Sequence, residues 1–402
     1  MFETLLIILA FAFYSLFSNA ISKTVLTLPL LFTVVGFALS GPLEASVSPK
    51  VIHEGKKLLA EVTLILVLFA DASHVRFRQL AMDWMLPARM LVIGMPLTIA
   101  LGTVVVTLLN PGAGLAMALL TAAVLTPTDA ALGQAVVVNP KVPPHIGQTI
   151  NVESGLNDGL ALPFVLLGAS LASMASEHLS GAALAWEAVS EVVLGVVAGI
   201  VVGWVAAVAM SWAQDRQVMQ KSAGAVLFLL AAFTAYVLAD LVGGNGFIAA
   251  FIAGMVFGNT YKHGAHFISE FMEGAGQLLT MAAFLAFGAF LLPVGIAHAS
   301  VSNVALAVLF LTVVRMLPIF ISLTGSGLSS PEKLFLGWFG PRGLASILFT
   351  LLMMAEFDFP NEEELLACVS LTVGLSILMH GITANPLARR IGQTRNPIQK
   401  GQ

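Results

Sequence analysis

The run Glu153-Ser154-Gly155-Leu156-Asn157-Asp158 places two carboxylates, a hydroxyl and an amide inside a long apolar stretch. A single charge at bilayer depth costs about 2.5–3.5 kcal/mol on insertion scales, so such residues are retained for a purpose. On a helix Ser154 and Asp158 are four apart and share a face, as do Glu153 and Asn157. Just upstream, Thr126-Pro127-Thr128-Asp129 interrupts another apolar segment, and proline there removes a helix hydrogen bond and frees backbone carbonyls. Asp129, Ser154 and Asp158, with carbonyls around Thr128, form a hard-oxygen set suited to Na⁺ or Li⁺; zinc or copper would favour imidazole and thiolate. Arg342, in Gly340-Pro341-Arg342-Gly343, is the natural partner of Glu153, because a buried unpaired charge is very costly. That pairing leaves Asp158 without a fixed counter-charge. Burial favours its protonated form, so a proton and a cation compete for it.

These residues need a membrane to sit in, and the composition supplies one. Of 402 residues 58% are hydrophobic and 10% charged, against about 25% charged in soluble domains. Apolar runs cut at charged or Pro/Gly-rich breaks give thirteen segments, at roughly 4–20, 24–42, 57–74, 84–110, 113–138, 148–174, 184–212, 222–241, 245–260, 275–296, 302–325, 332–354 and 364–388. The cut at Gly243, Gly244 and Gly246 reads equally as a turn between two spans or a kink within one. An all-α polytopic protein follows, and a soluble enzyme is excluded. The single cysteine, Cys368, allows neither a disulfide framework nor a thiolate metal site within the chain.

Basic residues orient the spans. Lys23, Arg76, Arg78, Arg89, Lys141, Arg216, Lys221, Lys262, Lys333, Arg389, Arg390, Arg395 and Lys400 follow odd-numbered segments, whereas only Lys50, Lys56 and Lys57 follow even-numbered ones. Lysine and arginine accumulate in cytoplasmic loops, so the N-terminus is expected outside and the C-terminus in the cytoplasm of a cell membrane. The first segment could instead be a signal peptide, but Met-Phe-Glu lacks the positive n-region. Asp129 lies ten residues before the loop at 139–147 and Asp158 eleven after it, which places both roughly 15 Å deep, at the midplane. Segments five and twelve have opposite orientation and both carry Pro/Gly breaks, the pattern of inverted repeats with a site at their interface. Segment thirteen, with Gly374 and Gly381, is the alternative second break.

Other buried polar residues read as structural. Arg315 precedes Pro318 and is expected to snorkel or pair locally. Asp71 opens Asp71-Ala72-Ser73-His74 at the cytoplasmic end of segment three, where polar residues are ordinary. Glu61 and Asp240 lie within a few turns of loops, His380 reads as a capping or packing histidine, and Gly243 to Gly258 as a close-packing surface.

The whole chain resembles the monovalent cation:proton antiporters of the NhaP and sodium/proton exchanger type. Thr128-Asp129 and Glu153-Ser154-Gly155-Leu156-Asn157-Asp158-Gly159 match that family's broken fifth helix and its sixth, Gly340-Pro341-Arg342-Gly343 its arginine motif, and His380-Gly381-Ile382-Thr383-Ala384-Asn385-Pro386-Leu387 its last helix. The resemblance implies that Asp158 carries the exchanged ion or proton, that Asp129, Ser154, Thr128 and Asn157 assist, and that Glu153 with Arg342 is structural. It implies a homodimer in the lipid bilayer, with a moving core including about 57–174 and 275–388, a dimerisation part from the remaining helices, and an elevator-like motion. Asn157-Asp158, in place of Asp-Asp, resembles the electroneutral branch, while Gly155 and Ala130 depart from the family's pattern and bear on cation choice. The expected activity is antiport of Na⁺, with Li⁺ or K⁺ as alternatives, against H⁺. No cofactor, enzyme activity or nucleic-acid partner is expected, and no Walker P-loop is present. A cation channel and an intramembrane hydrolase using Asp129 and Asp158 are the competing readings.

Overall fold

The computed structural model describes residues 2–21, 26–46, 48–75, 84–137, 139–173, 181–263 and 266–393, and every regular element among them is helical. Each of the thirteen apolar segments coincides with one or more helices among the described residues. In order they are Phe2–Ile21, Leu28–Ala38 running into Ser40–Ser46, Pro49–His74, Met85–Leu109, Gly114–Val124 with Ala130–Val137, Pro144–Ala172, Gly181–Asp215, Lys221–Leu241, Gly246–Thr260, His266–Ala286 continuing through Leu292–Ala297, Val301–Leu311 with Val313–Ser322, Ser330–Trp338 with Leu344–Glu356, and Glu362–Gln393. Among the described residues eight helices are long and apolar enough to cross a membrane. Lys23, Arg76, Arg78, Arg395 and Lys400, used above to orient the chain, lie outside the described residues.

Two groups of helices form. In one, segments seven, eight and nine pack on one another, and segments eight and nine also pack on segment three. Gly195, Gly199 and Gly203 lie one turn apart on segment seven, and a Cβ at any of them would strike backbone atoms at Asn245, Ala249 or Ala253. Gly254 and Gly258 on the other side of segment nine meet the carbonyls of Phe69 and Ser73 in the same way. Small residues at four-residue spacing thus replace a hydrophobic driving force that lipid cannot supply. The doubtful cut resolves as a turn, since Lys221–Leu241 ends before Gly243, whose φ is +76°, and Gly246–Thr260 starts anew.

The second group contains segments four, five, six, eleven, twelve and thirteen, with segment five central. Leu120 and Ala122 through Leu125 are wholly buried. Segments five and twelve are the two broken helices, interrupted at 125–129 and 339–343. Each break holds a proline, Pro127 or Pro341, which can neither donate to the preceding turn nor avoid clashing with it. Segment thirteen, the alternative, stays helical throughout Glu362–Gln393 in spite of Gly374, Gly381 and Pro386.

Candidate functional site

The two breaks cross, and polar atoms freed by each are satisfied by the other. The Asp129 amide donates to the Pro341 carbonyl at 2.8 Å. One Asp129 carboxylate oxygen accepts from the Leu132 amide at 2.9 Å and the other from the Leu344 amide at 2.5 Å. Asp129 therefore caps two half-helices, Ala130–Val137 and Leu344–Glu356, and its negative charge faces the positive ends of both dipoles. Gly343 permits this approach, because a Cβ there would occupy the position of the Asp129 carboxylate.

Arg342 is fully buried and complements the opposite pole. Its guanidinium donates to the carbonyls of Thr126 and Pro127, at 2.6 and 3.2 Å, just past the C-terminal end of half-helix Gly114–Val124. Its amide donates to Ser376 Oγ at 2.7 Å, and Ser346 Oγ donates to the Val124 carbonyl at 2.8 Å. His380 caps as expected: Nε2 lies 2.8 Å from the Trp338 carbonyl and Nδ1 2.9 Å from that of Ser376.

The pairing of Glu153 with Arg342 is corrected. Glu153 instead forms a bidentate pair with Arg315, Nη1 to Oε1 and Nη2 to Oε2 both at 2.8 Å, with both side chains buried. Arg315 comes from Val313–Ser322, and its guanidinium lies against Gly340, where any side chain would displace it. Neither snorkelling nor local pairing describes it. Arg342 is drawn elsewhere because carbonyls freed by Pro127 already offer it acceptors.

Segment six carries the remaining groups across from the first break. Thr128 Oγ1 lies 3.1 Å from Ser154 Oγ and accepts from Asn157 Nδ2. Asp158 Oδ1 is buried with no hydrogen-bond partner among the described residues. Asp129, Glu153 and Asp71 are all near enough for their charges to act on Asp158. Among the described residues Glu153, Asp129 and Arg342 are each engaged by partners at the crossing, whereas Asp158 keeps an oxygen without one.

Asp158 and Asp129 line a cavity of about 1540 Å³, whose wall also includes Asp71, Gly155, Gln134 and Thr280. It reaches the surface at exposed Gln148, Asn151 and His74, on the side of the loops that follow segments three and five. Asp71 is the residue that sequence reasoning missed. Its position near a helix end suggested an ordinary surface group, but segment three lies against segment six and carries it into the cavity wall. A carboxylate 87 residues before Asp158 and within neither motif gave no signal beyond its place at the end of the apolar run of segment three. Among the described residues no three His, Cys, Asp or Glu side chains converge as a metal-holding cluster.

Comparison with known proteins gives a consistent picture. A family model described as "Sodium/hydrogen exchanger, transmembrane" matches residues 6–390. Na(+)/H(+) antiporter 2 of Zygosaccharomyces rouxii is 24% identical over 363 residues, covering 80% of this chain and 44% of that protein. K(+)/H(+) antiporter NhaP2 of Shewanella oneidensis is 25% identical over 277 residues, covering 67% and 46%. The chain thus spans less than half the length of these curated relatives. Its fold matches the sodium proton antiporter MjNhaP1 of Methanocaldococcus jannaschii at pH 8, with a TM-score of 0.75 and 18% identity over 96% of this chain and 99% of that one.

Proposed function

Because this chain belongs to the sodium/hydrogen exchanger family, matched over residues 6–390, we propose that it exchanges a monovalent cation for a proton by alternating access. The observation that carries the reading is Asp158: a carboxylate with an unpartnered oxygen in a cavity beside two crossed broken helices. Glu153 is held by Arg315, Asp129 by two helix N-termini, and Arg342 by carbonyls. Asp158, the carboxylate of segment six left with an unpartnered oxygen, takes the proton or the cation. Ser154, the Thr128 carbonyl, Asp129 and Asp71 assist the cation, while Asn157 holds Thr128 in place.

One-for-one occupancy supports electroneutral exchange. One proton or one monovalent cation on Asp158 adds the same single positive charge to the moving group. The empty group carries one more negative charge than the loaded one and crosses the bilayer at higher cost. Exchange rather than leak follows. A channel needs a continuous pore with weak multi-site binding, whereas this cavity is reached from one side. A hydrolytic aspartyl pair is disfavoured because Asp129 is already engaged by two amides.

The same reading assigns the cavity to the cytoplasmic side, with the N-terminus outside and the C-terminus in the cytoplasm. It includes a homodimer in a cell membrane, with the core of about 57–174 and 275–388 moving against the remaining helices. Na⁺ is the first substrate, with Li⁺ and K⁺ as alternatives, and no cofactor takes part. Proteoliposomes holding a pH-sensitive dye and an acid interior test it. Addition of Na⁺, Li⁺ or K⁺ should alkalinise the interior independently of a clamped potential, and Asp158→Asn should abolish the response. A folded protein through which no monovalent cation moves protons refutes the proposal.

A further inference from the structure

Most buried glycines of segment six have a packing reason to be glycine. A Cβ at Gly159 would enter the Phe251 ring, one at Gly168 would lie 2.8 Å from Leu120 Cα, and one at Gly147 would lie 3.1 Å from the Val137 carbonyl. Gly155 has none. A Cβ there would meet nothing nearer than the Asp71 carbonyl oxygen, at 3.9 Å. Glycine inside a helix is less stable than alanine, so helix 144–172 gives up stability at 155 without gaining contact. What it gains is space in the ion cavity, whose wall Gly155 forms together with Asp158 and Asp71. Gly155 and Asp158 are three apart and lie on one helix face, so the missing side chain adjoins the exchangeable carboxylate.

Resting on the antiport reading above, we propose that Gly155 sets the upper size limit of the transported cation, leaving room beside Asp158 for K⁺ or Rb⁺ as well as Na⁺. Selection among cations of one charge depends on cavity size, ligand number and flexibility. Larger ions take more oxygens in a wider cage, and the space at 155 opens on the cavity that Asp71 and Asp158 both line, with the Asp71 carbonyl oxygen 3.9 Å from where a methyl group would stand. A side chain at 155 fills that space with hydrocarbon and favours the smaller ions.

The test is KM for Li⁺, Na⁺, K⁺ and Rb⁺ in the full-length chain in proteoliposomes, for wild type, Gly155→Ala and Gly155→Val. Wild type is expected to exchange protons for K⁺ and Rb⁺ with KM within about tenfold of that for Na⁺. The ratio of KM for K⁺ to that for Na⁺ is expected to rise at least tenfold in Gly155→Ala, and further in Gly155→Val. Constants that move together, or not at all, overturn the proposal, as does a wild type that accepts Li⁺ and Na⁺ but not K⁺ or Rb⁺. That wild-type result decides the matter even if both variants fail to fold. A wild type inert to every cation fails the antiport reading itself, a distinct outcome.

Discussion

Replacing Glu153 by glutamine leaves Arg315 buried with no counter-charge, and the structure sets the scale of the loss. The pair makes two charge-assisted hydrogen bonds of 2.8 Å, with both side chains almost wholly enclosed. Bonds to charged groups contribute about 1.5–3 kcal/mol each, and removing one partner of a buried pair costs about 3–5 kcal/mol. Glu153→Gln should therefore lower the apparent melting temperature by on the order of 10 °C, taking the scaling of larger soluble domains. Glu153→Gln with Arg315→Met should recover much of that loss, since neither charge is then stranded. Thermal denaturation of the detergent-solubilised protein, run as two double-mutant cycles, separates the partners. Coupling of at least about 2 kcal/mol is expected between Glu153 and Arg315, and additivity within about 0.5 kcal/mol between Glu153 and Arg342→Gln. Coupling to Arg342 with additivity at Arg315 would refute the assignment.

Asp129→Ala removes caps from two half-helices at about 1 kcal/mol each, so the melting temperature should fall and transport should be lost; a stable, active variant would contradict the double cap. Gly343→Ala places a methyl group where the Asp129 carboxylate sits, and should disrupt the crossing and abolish exchange. Asp71→Asn should leave the protein folded and raise KM for the cation about tenfold through a lost carboxylate near Asp158, while unchanged kinetics would remove Asp71 from the ion path.

The architecture was legible because apolar run length and the position of lysine and arginine are one-dimensional signals that the bilayer imposes directly. The breaks at Pro127 and Pro341 were legible for the same reason, since proline acts on its own helix. Partner choice was not. Glu153 and Arg342 looked complementary by depth alone, but Arg315 reaches Glu153 because segments six and eleven bring them within bonding range, aided by the bare backbone of Gly340. Asp129 read as an ion ligand, and nothing in its neighbours revealed that the Leu344 amide, 215 residues away, would claim one of its oxygens. Asp71 was hidden by an ordinary position near a helix end; only the packing of segment three on segment six gives it a role.

The central claim is that one carboxylate holds either a proton or a cation, and proton release on cation binding measures it. Purified protein in weak buffer receives Na⁺ at a series of pH values while liberated protons are counted against cation bound. One proton should leave per cation where Asp158 is protonated, falling to none as pH rises, with Na⁺ affinity weakening about tenfold for each unit of acidification. Asp158→Asn should release none. Cation binding that frees no proton at any pH would contradict a shared site.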